Sequence, residues 1–187
     1  MKKLLFLILI AIGFQAHAAA EGENTLQVSG GIRSLNGLVG LNYDRTFGEH
    51  HGLQIGTGVD VMGPVVTGGY RYFTGSVSEK CFFFFSCSDK YYGGLSAQFV
   101  TPSTINISSG SATSSYATNE RWIAVANIGN RMVFSSNVTL DFNFNYKSLL
   151  TPSEITNTGG VDYQSDRNLI HTWEQGWGLS MAVGYLF

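Results

Sequence analysis

The chain has 187 residues; 13% are charged, about half the usual share for a soluble domain, while aromatics also reach 13% and glycine numbers 23. The formal net charge of −2 gives no reason to expect nucleic acid or an anionic surface as partner. Beyond the first residues no apolar run approaches the roughly twenty that a spanning helix needs. A charge-poor, glycine- and aromatic-rich chain without such a helix points to β-structure, and a closed barrel is the β-structure that can cross lipid.

Met1-Lys2-Lys3, an apolar run from Leu4 to Phe14 and Ala16-His17-Ala18 form a secretory signal peptide. Residues 1–18 are therefore expected to be cleaved after Ala18, leaving one domain over 19–187, a single-domain length. Without Lys2 and Lys3 the mature chain holds 9 basic and 13 acidic residues, a net charge of −4.

Period-two alternation marks a strand with two different sides, and it recurs down the chain. The first candidate, Asn24–Arg33, sets Leu26, Val28 and Ile32 against Gln27, Ser29, Gly31 and Arg33. Asn36-Gly37 follows, a strong hairpin signal. Leu38–Phe47 places Val39, Leu41, Tyr43 and Phe47 opposite Gly40, Asn42, Asp44 and Thr46, with Arg45 interrupting the apolar side. The third and fourth strands are Leu53–Val61 and Val65–Phe73, with Asp60 and Arg71 on their polar sides. A cysteine loop over Thr74–Asp89 leads to Tyr91–Val100. Next come a Ser/Thr/Asn/Ala-rich loop, Thr101–Asn119, and a sixth strand, Arg121–Phe134, with Arg121, Asn127 and Arg131 inward. The seventh is the clearest: Val138, Leu140, Phe142, Phe144 and Tyr146 against Thr139, Asp141, Asn143, Asn145 and Lys147. A long loop, Leu150–Trp173, precedes the last strand, Gly178–Phe187, whose alternate residues are Leu179, Met181, Val183, Tyr185 and Phe187.

Eight strands of about ten residues match the length that a tilted spanning strand needs. Gly, Ser, Thr, Asn and Gln, with a few charges of both signs, make the polar side, not the Lys/Glu-rich surface that water favours. Aromatics gather toward strand ends on the apolar side, as interfacial girdles do. The apolar side therefore faces lipid. Alternation together with a terminal Phe187 resembles the small eight-stranded outer-membrane β-barrel family, the class of the OmpA transmembrane domain and OmpX. That resemblance covers the whole mature chain. It implies an all-β, eight-stranded antiparallel transmembrane barrel in a Gram-negative outer membrane, surrounded by outer-membrane lipids. It also implies that Leu179, Met181, Val183, Tyr185 and Phe187 form the signal read by the barrel assembly machinery. Nothing follows Phe187, so cell-wall tethering through a peptidoglycan-binding domain is not implied.

The lumen is expected to gather Arg33, Asp44, Asp60, Arg71, Arg131, Asp141 and Lys147. Eight strands leave an interior only wide enough for side chains, so these charges should pair and plug it; a narrow diffusion path is the alternative. Cys81 and Cys87, an even count in an exported chain, read first as a disulfide. A metal pair is the other reading, though no histidine lies nearby. By strand count their loop falls on the periplasmic side, where barrel turns are short.

No cofactor, metal site or catalytic set is expected. His171 and Glu174 flank the last strand, and a lipid A-modifying enzyme is a minor alternative, but no nucleophile–base spacing stands out. The adjacent His50 and His51 lack a third ligand. The expected role is structural or surface-interacting: a monomer that presents the loops over Thr101–Asn119 and Leu150–Trp173 to an extracellular partner.

Overall fold

A computed structural model describes residues 22–74, 77–81, 85–109 and 112–187, with the backbone alone at 77–81, 85–86, 109 and 112. The signal peptide expected over 1–18 lies outside these residues. The strands are β1 (Gly22–Ile32), β2 (Val39–Phe47), β3 (His51–Asp60), β4 (Gly63–Phe73), β5 (Val77–Cys81), β6 (Phe85–Val100), β7 (Ser103–Ser109), β8 (Ala112–Thr118), β9 (Arg121–Phe134), β10 (Val138–Leu149), β11 (Ile155–Gly159) and β12 (Gly176–Leu186). Among the described residues one helix, α1 (Gln164–Glu174), precedes β12.

Eight of these strands close a barrel in the order β4-β3-β2-β1-β12-β10-β9-β6, and β4–β6 pairing completes the circle. Every pairing is antiparallel. First and last strands meet from Thr25↔Leu186 to Ile32↔Leu179. Phe187 extends that seam: its N–H donates to the Asn24 carbonyl at 2.9 Å, and its carbonyl accepts from Asn24 N–H at 3.1 Å. The all-β eight-stranded class and the eight barrel strands agree with the sequence pattern.

The wall continues past the barrel at both ends. Val100 faces Arg121 at the top of the β6–β9 pair, and Ser103 faces Thr118 in the β7–β8 pair; no register slip separates them. Beside it Ile155↔Thr118 carries β10 and β9 upward as β11 and β8, one residue out of step with Leu149↔Ile123 below. The sheet β11-β8-β7 is thus an extension of the wall above the loop end, and the expected loop Thr101–Asn119 is a hairpin. At the terminal end β5 prolongs β4 along β6, from Val77↔Asp89 to Cys81↔Phe85. Most of the expected cysteine loop is therefore paired strand.

The disulfide expected between Cys81 and Cys87 falls at the tip of this hairpin, and no cysteine among the described residues is free. The Cys81 side chain lies outside them, and the hairpin register sets Cys81 opposite Phe85 and Cys87 opposite Glu79.

Polarity is inverted relative to a soluble protein. Among the described residues, buried polar side chains outnumber buried apolar ones about two to one. The outside carries Leu26, Val28, Leu41, Leu53, Ile55, Leu95, Ile128, Phe142, Leu179 and Val183, all more than a third exposed. A continuous belt of that kind far exceeds the few hundred Å² of apolar patch that a monomer shows to water. Rings close it at the edges: Phe144 and Tyr146 pack on Trp177 with centroids at 4.9 and 4.8 Å, and Phe99 packs on Trp122 at 5.0 Å. Arg45, expected to break this face, lies with its guanidinium 5.3 Å from the Phe47 ring.

Candidate functional site: a filled lumen beneath a raised sheet

Near the terminal end, β2, β4, β6, β9 and β10 bring five polar groups together. Arg131 Nη2 lies 2.5 Å from Asp44 Oδ2 and 2.9 Å from Asp141 Oδ2. Arg71 Nη1 is 3.0 Å from Asp44 and 3.5 Å from Asp141. Tyr92 Oη donates to Asp141 Oδ1 at 2.5 Å and accepts from Asn143 Nδ2 at 3.0 Å. Two guanidiniums balance two carboxylates, so the cluster is neutral. Aromatic faces line it, with Arg71 4.5 Å from the Tyr92 ring and Arg131 5.2 Å from Phe73. Tyr92 belongs to the set by virtue of its polar-side register, which the sequence shows but which its aromatic character obscures.

Amides fill the middle. Asn42 Nδ2 donates to Asp44 Oδ2 at 3.2 Å, and Gln54 Nε2 to Ser96 Oγ at 2.6 Å. Above them the β1–β2 connection, expected as a simple hairpin tip, folds into the barrel. Ser34, Leu35 and Asn36 are buried. Asn36 Oδ1 accepts from Thr67 Oγ1 across the lumen at 2.5 Å, and Gln98 Nε2 donates to the Leu35 carbonyl at 2.8 Å. Gly37 completes the bend at φ 82°, a left-handed conformation that glycine adopts without penalty. Room for Asn36 comes from Gly40, Gly56 and Gly58, where a Cβ would overlap Asn36. A remaining void between Asn36, Asn42, Arg71 and Asn143 measures about 20 Å³, space for one water molecule.

Toward the loop end Lys147 Nζ meets Asp60 Oδ2 at 3.4 Å. Arg121 Nε meets Glu174 Oε1 at 2.9 Å, both side chains having no solvent exposure. The Glu174 carboxylate also accepts from Ser153 Oγ at 2.6 Å and pairs with His171 Nδ1 at 3.2 Å. Around this pair Leu35, Met62, Val65, Val100, Ile105, Tyr116, Ile123, Val125 and Ile170 form one apolar cluster, with Trp173 packed against it. Helix α1 therefore stoppers the mouth. Its approach is fixed by Arg167, which forks onto Asp162 at 2.9 and 2.7 Å; that hydrogen-bonded guanidinium holds the exposed Asp162 carboxyl below its ordinary range.

Six of the seven expected lumen charges lie in these two tiers. Arg33 lies at the rim instead, donating to the Trp177 carbonyl at 3.3 Å with its guanidinium 5.8 Å from the Trp173 ring. Arg121 and Glu174 are the pair missing from the expected network. Arg121 was visible as an inward residue; Glu174 comes from a helix that alternation does not reveal. Ser153 donates to Glu174 and not to His171. His51 Nδ1 contacts Tyr70 Oη at 2.6 Å and His50 Nδ1 the Phe73 carbonyl at 2.9 Å. Among the described residues no three His, Cys, Asp or Glu side chains converge as a metal site.

No protein-family model and no curated protein matches this sequence. Among solved structures the chain is similar to the N-terminal β-barrel domain of Pseudomonas aeruginosa OprF, at 13% identity over 89% of this chain and 96% of that one, with a TM-score of 0.45. The chain's own geometry carries the conclusion: closed antiparallel wall, apolar belt outside and polar side chains within make this a barrel of the outer-membrane type.

Proposed function

We propose that this protein is a closed structural barrel of the Gram-negative outer membrane that holds a small sheet above the cell surface for contact with a partner. The carrying observation is the unbroken register from the β6–β9 wall into β7 and β8, with β11 paired alongside β8, over a filled lumen. In this reading residues 1–18 direct export and are removed after Ala18, and 19–187 form the barrel. Both ends of the mature chain face the periplasm, and the β7–β8 hairpin and α1 face outward. Leu179, Met181, Val183, Tyr185 and Phe187 serve as the assembly signal. The Asp44–Arg71–Arg131–Asp141 cluster is the inner plug, and the Arg121–Glu174 pair under α1 is the outer one.

Two measurements test this. In planar bilayers the folded protein gives no reproducible open steps; discrete conductance would overturn the closed reading. An epitope placed between β7 and β8 is stained on intact cells, and staining only after permeabilisation would invert the orientation.

A further inference from the structure

We propose that β7 is a self-pairing edge, through which copies of this chain in two opposed membranes join by antiparallel β7–β7 pairing centred on Asn106. This rests on the raised-sheet reading above and adds the partner and the register.

β7 is the terminal strand of its sheet and pairs only with β8. The wall strand next to β6 is β4, which begins at Gly63, so above the turn that Ser103 touches through the Met62 carbonyl no described strand pairs with β7 on this side. Free edges invite strand addition, and proteins blunt them with charge, proline, bulges or cover. β11, the opposite edge, has such protection: its register shifts between Asn157 and Gly159, and Arg167 Nη1 covers the Ile155 carbonyl at 2.5 Å. Among the described residues β7 has none of these devices. Ser-Thr-Ile-Asn-Ile-Ser-Ser over 103–109 carries no charge and no proline, and its register with β8 runs without a shift.

The same seven residues are near-palindromic. Antiparallel pairing about Asn106 sets Ile105 against Ile107 of the second copy, Thr104 against Ser108, and Asn106 against itself. Thr104, Asn106 and Ser108 are exposed, while Ile105 and Ile107 point into the apolar cluster. The joined sheets would therefore keep one polar and one apolar face in register.

Orientation selects opposed membranes. β7 continues β6 away from the bilayer, and barrel strands tilt by about 35–45°. Two copies in one membrane, related by a two-fold along its normal, would cross these strands at roughly 70–90°. Inverting one copy makes them antiparallel. A seven-residue edge is only about 23 Å long, so a single pair is weak and a detergent-solubilised barrel stays monomeric. Many pairs between two surfaces gain avidity.

The test uses full barrels in phosphatidylcholine vesicles, loop end outward, with clustering followed by light scattering. Wild-type vesicles cluster. Asn106→Lys and Asn106→Glu, both at an exposed position, each slow clustering at least tenfold, because like charges then oppose each other. Mixing the two populations restores at least half the wild-type rate. Wild-type vesicles that stay dispersed, single variants that cluster normally, or a mixture that fails to recover would each overturn self-pairing. A labelled peptide of residues 103–109 separates this from the broader reading. If it binds the barrel while wild-type vesicles stay dispersed, self-pairing fails but the strand-accepting surface stands. If neither occurs, both fail.

Discussion

Within the inner plug each charge is needed because the others are buried. Asp141 accepts from Arg131 and Tyr92 in a site with almost no solvent contact, and removing one partner from such a pair leaves an uncompensated charge at a cost of about 3–5 kcal/mol. Asp141→Ala should therefore lower stability by that amount in urea titrations of vesicle-embedded protein; a loss below about 1 kcal/mol, the worth of a surface pair, would place the site in contact with water. The glycines opposite Asn36 are the complementary case, small where the plug is large. A Cβ at Gly56 would meet the Asn36 and Asn42 side-chain oxygens. Gly56→Ala should lower the urea midpoint, and Asn36→Gly in the same chain should recover part of the loss. Additive losses in the double variant would mean that the loop does not use this space. Both expectations depend on which side of the strand a residue occupies. That much was legible in the alternation of Asp141 with Leu140 and Phe142. The in-folding of Ser34–Gly37 was not, because Asn-Gly signals a bend without saying which way the bend leans.

α1 owes its existence to its setting. It is eleven residues long, lacks a side-chain N-cap bond and buries only Ile170 and Glu174, so its own propensity is marginal at that length. A segment stabilised by tertiary contact is hard to distinguish from a polar loop in sequence, which is why Leu150–Trp173 reads as one. The β7–β8 hairpin was missed for a related cause. Its small polar residues have weak strand preference, but register propagated from β6 and β9 extends the ladder regardless. If Glu174 is what fastens α1, Glu174→Ala should strand Arg121 in the apolar mouth and release the helix locally. Backbone amides of Gln164–Glu174 should then exchange at least tenfold faster by hydrogen–deuterium mass spectrometry, with the barrel strands unchanged. Uniform acceleration through β1–β12 would instead make the Arg121–Glu174 pair part of the global fold.

At the scale of the whole barrel the seam between first and last strands has no covalent help, and closure depends on residues distant in sequence. Phe187 contributes two main-chain hydrogen bonds to Asn24, while its ring is 60% exposed on the lipid side. Two peptide hydrogen bonds are worth about 1–3 kcal/mol net, a modest share for a wall held by eight antiparallel pairings. A ring left in lipid adds little packing. The sequence placed this residue at the end of an outward-facing row, and the fold keeps it there, accessible from outside the barrel. Deleting Phe187 should consequently change in vitro unfolding in vesicles by no more than that small amount. If the exposed row is a feature read during assembly, the same deletion should cut the folded, heat-modifiable fraction in outer membranes several-fold. The two effects must be unequal. A variant that refolds poorly in vesicles would assign Phe187 to packing, whereas one that reaches the membrane normally would leave the terminal ring as one more lipid contact.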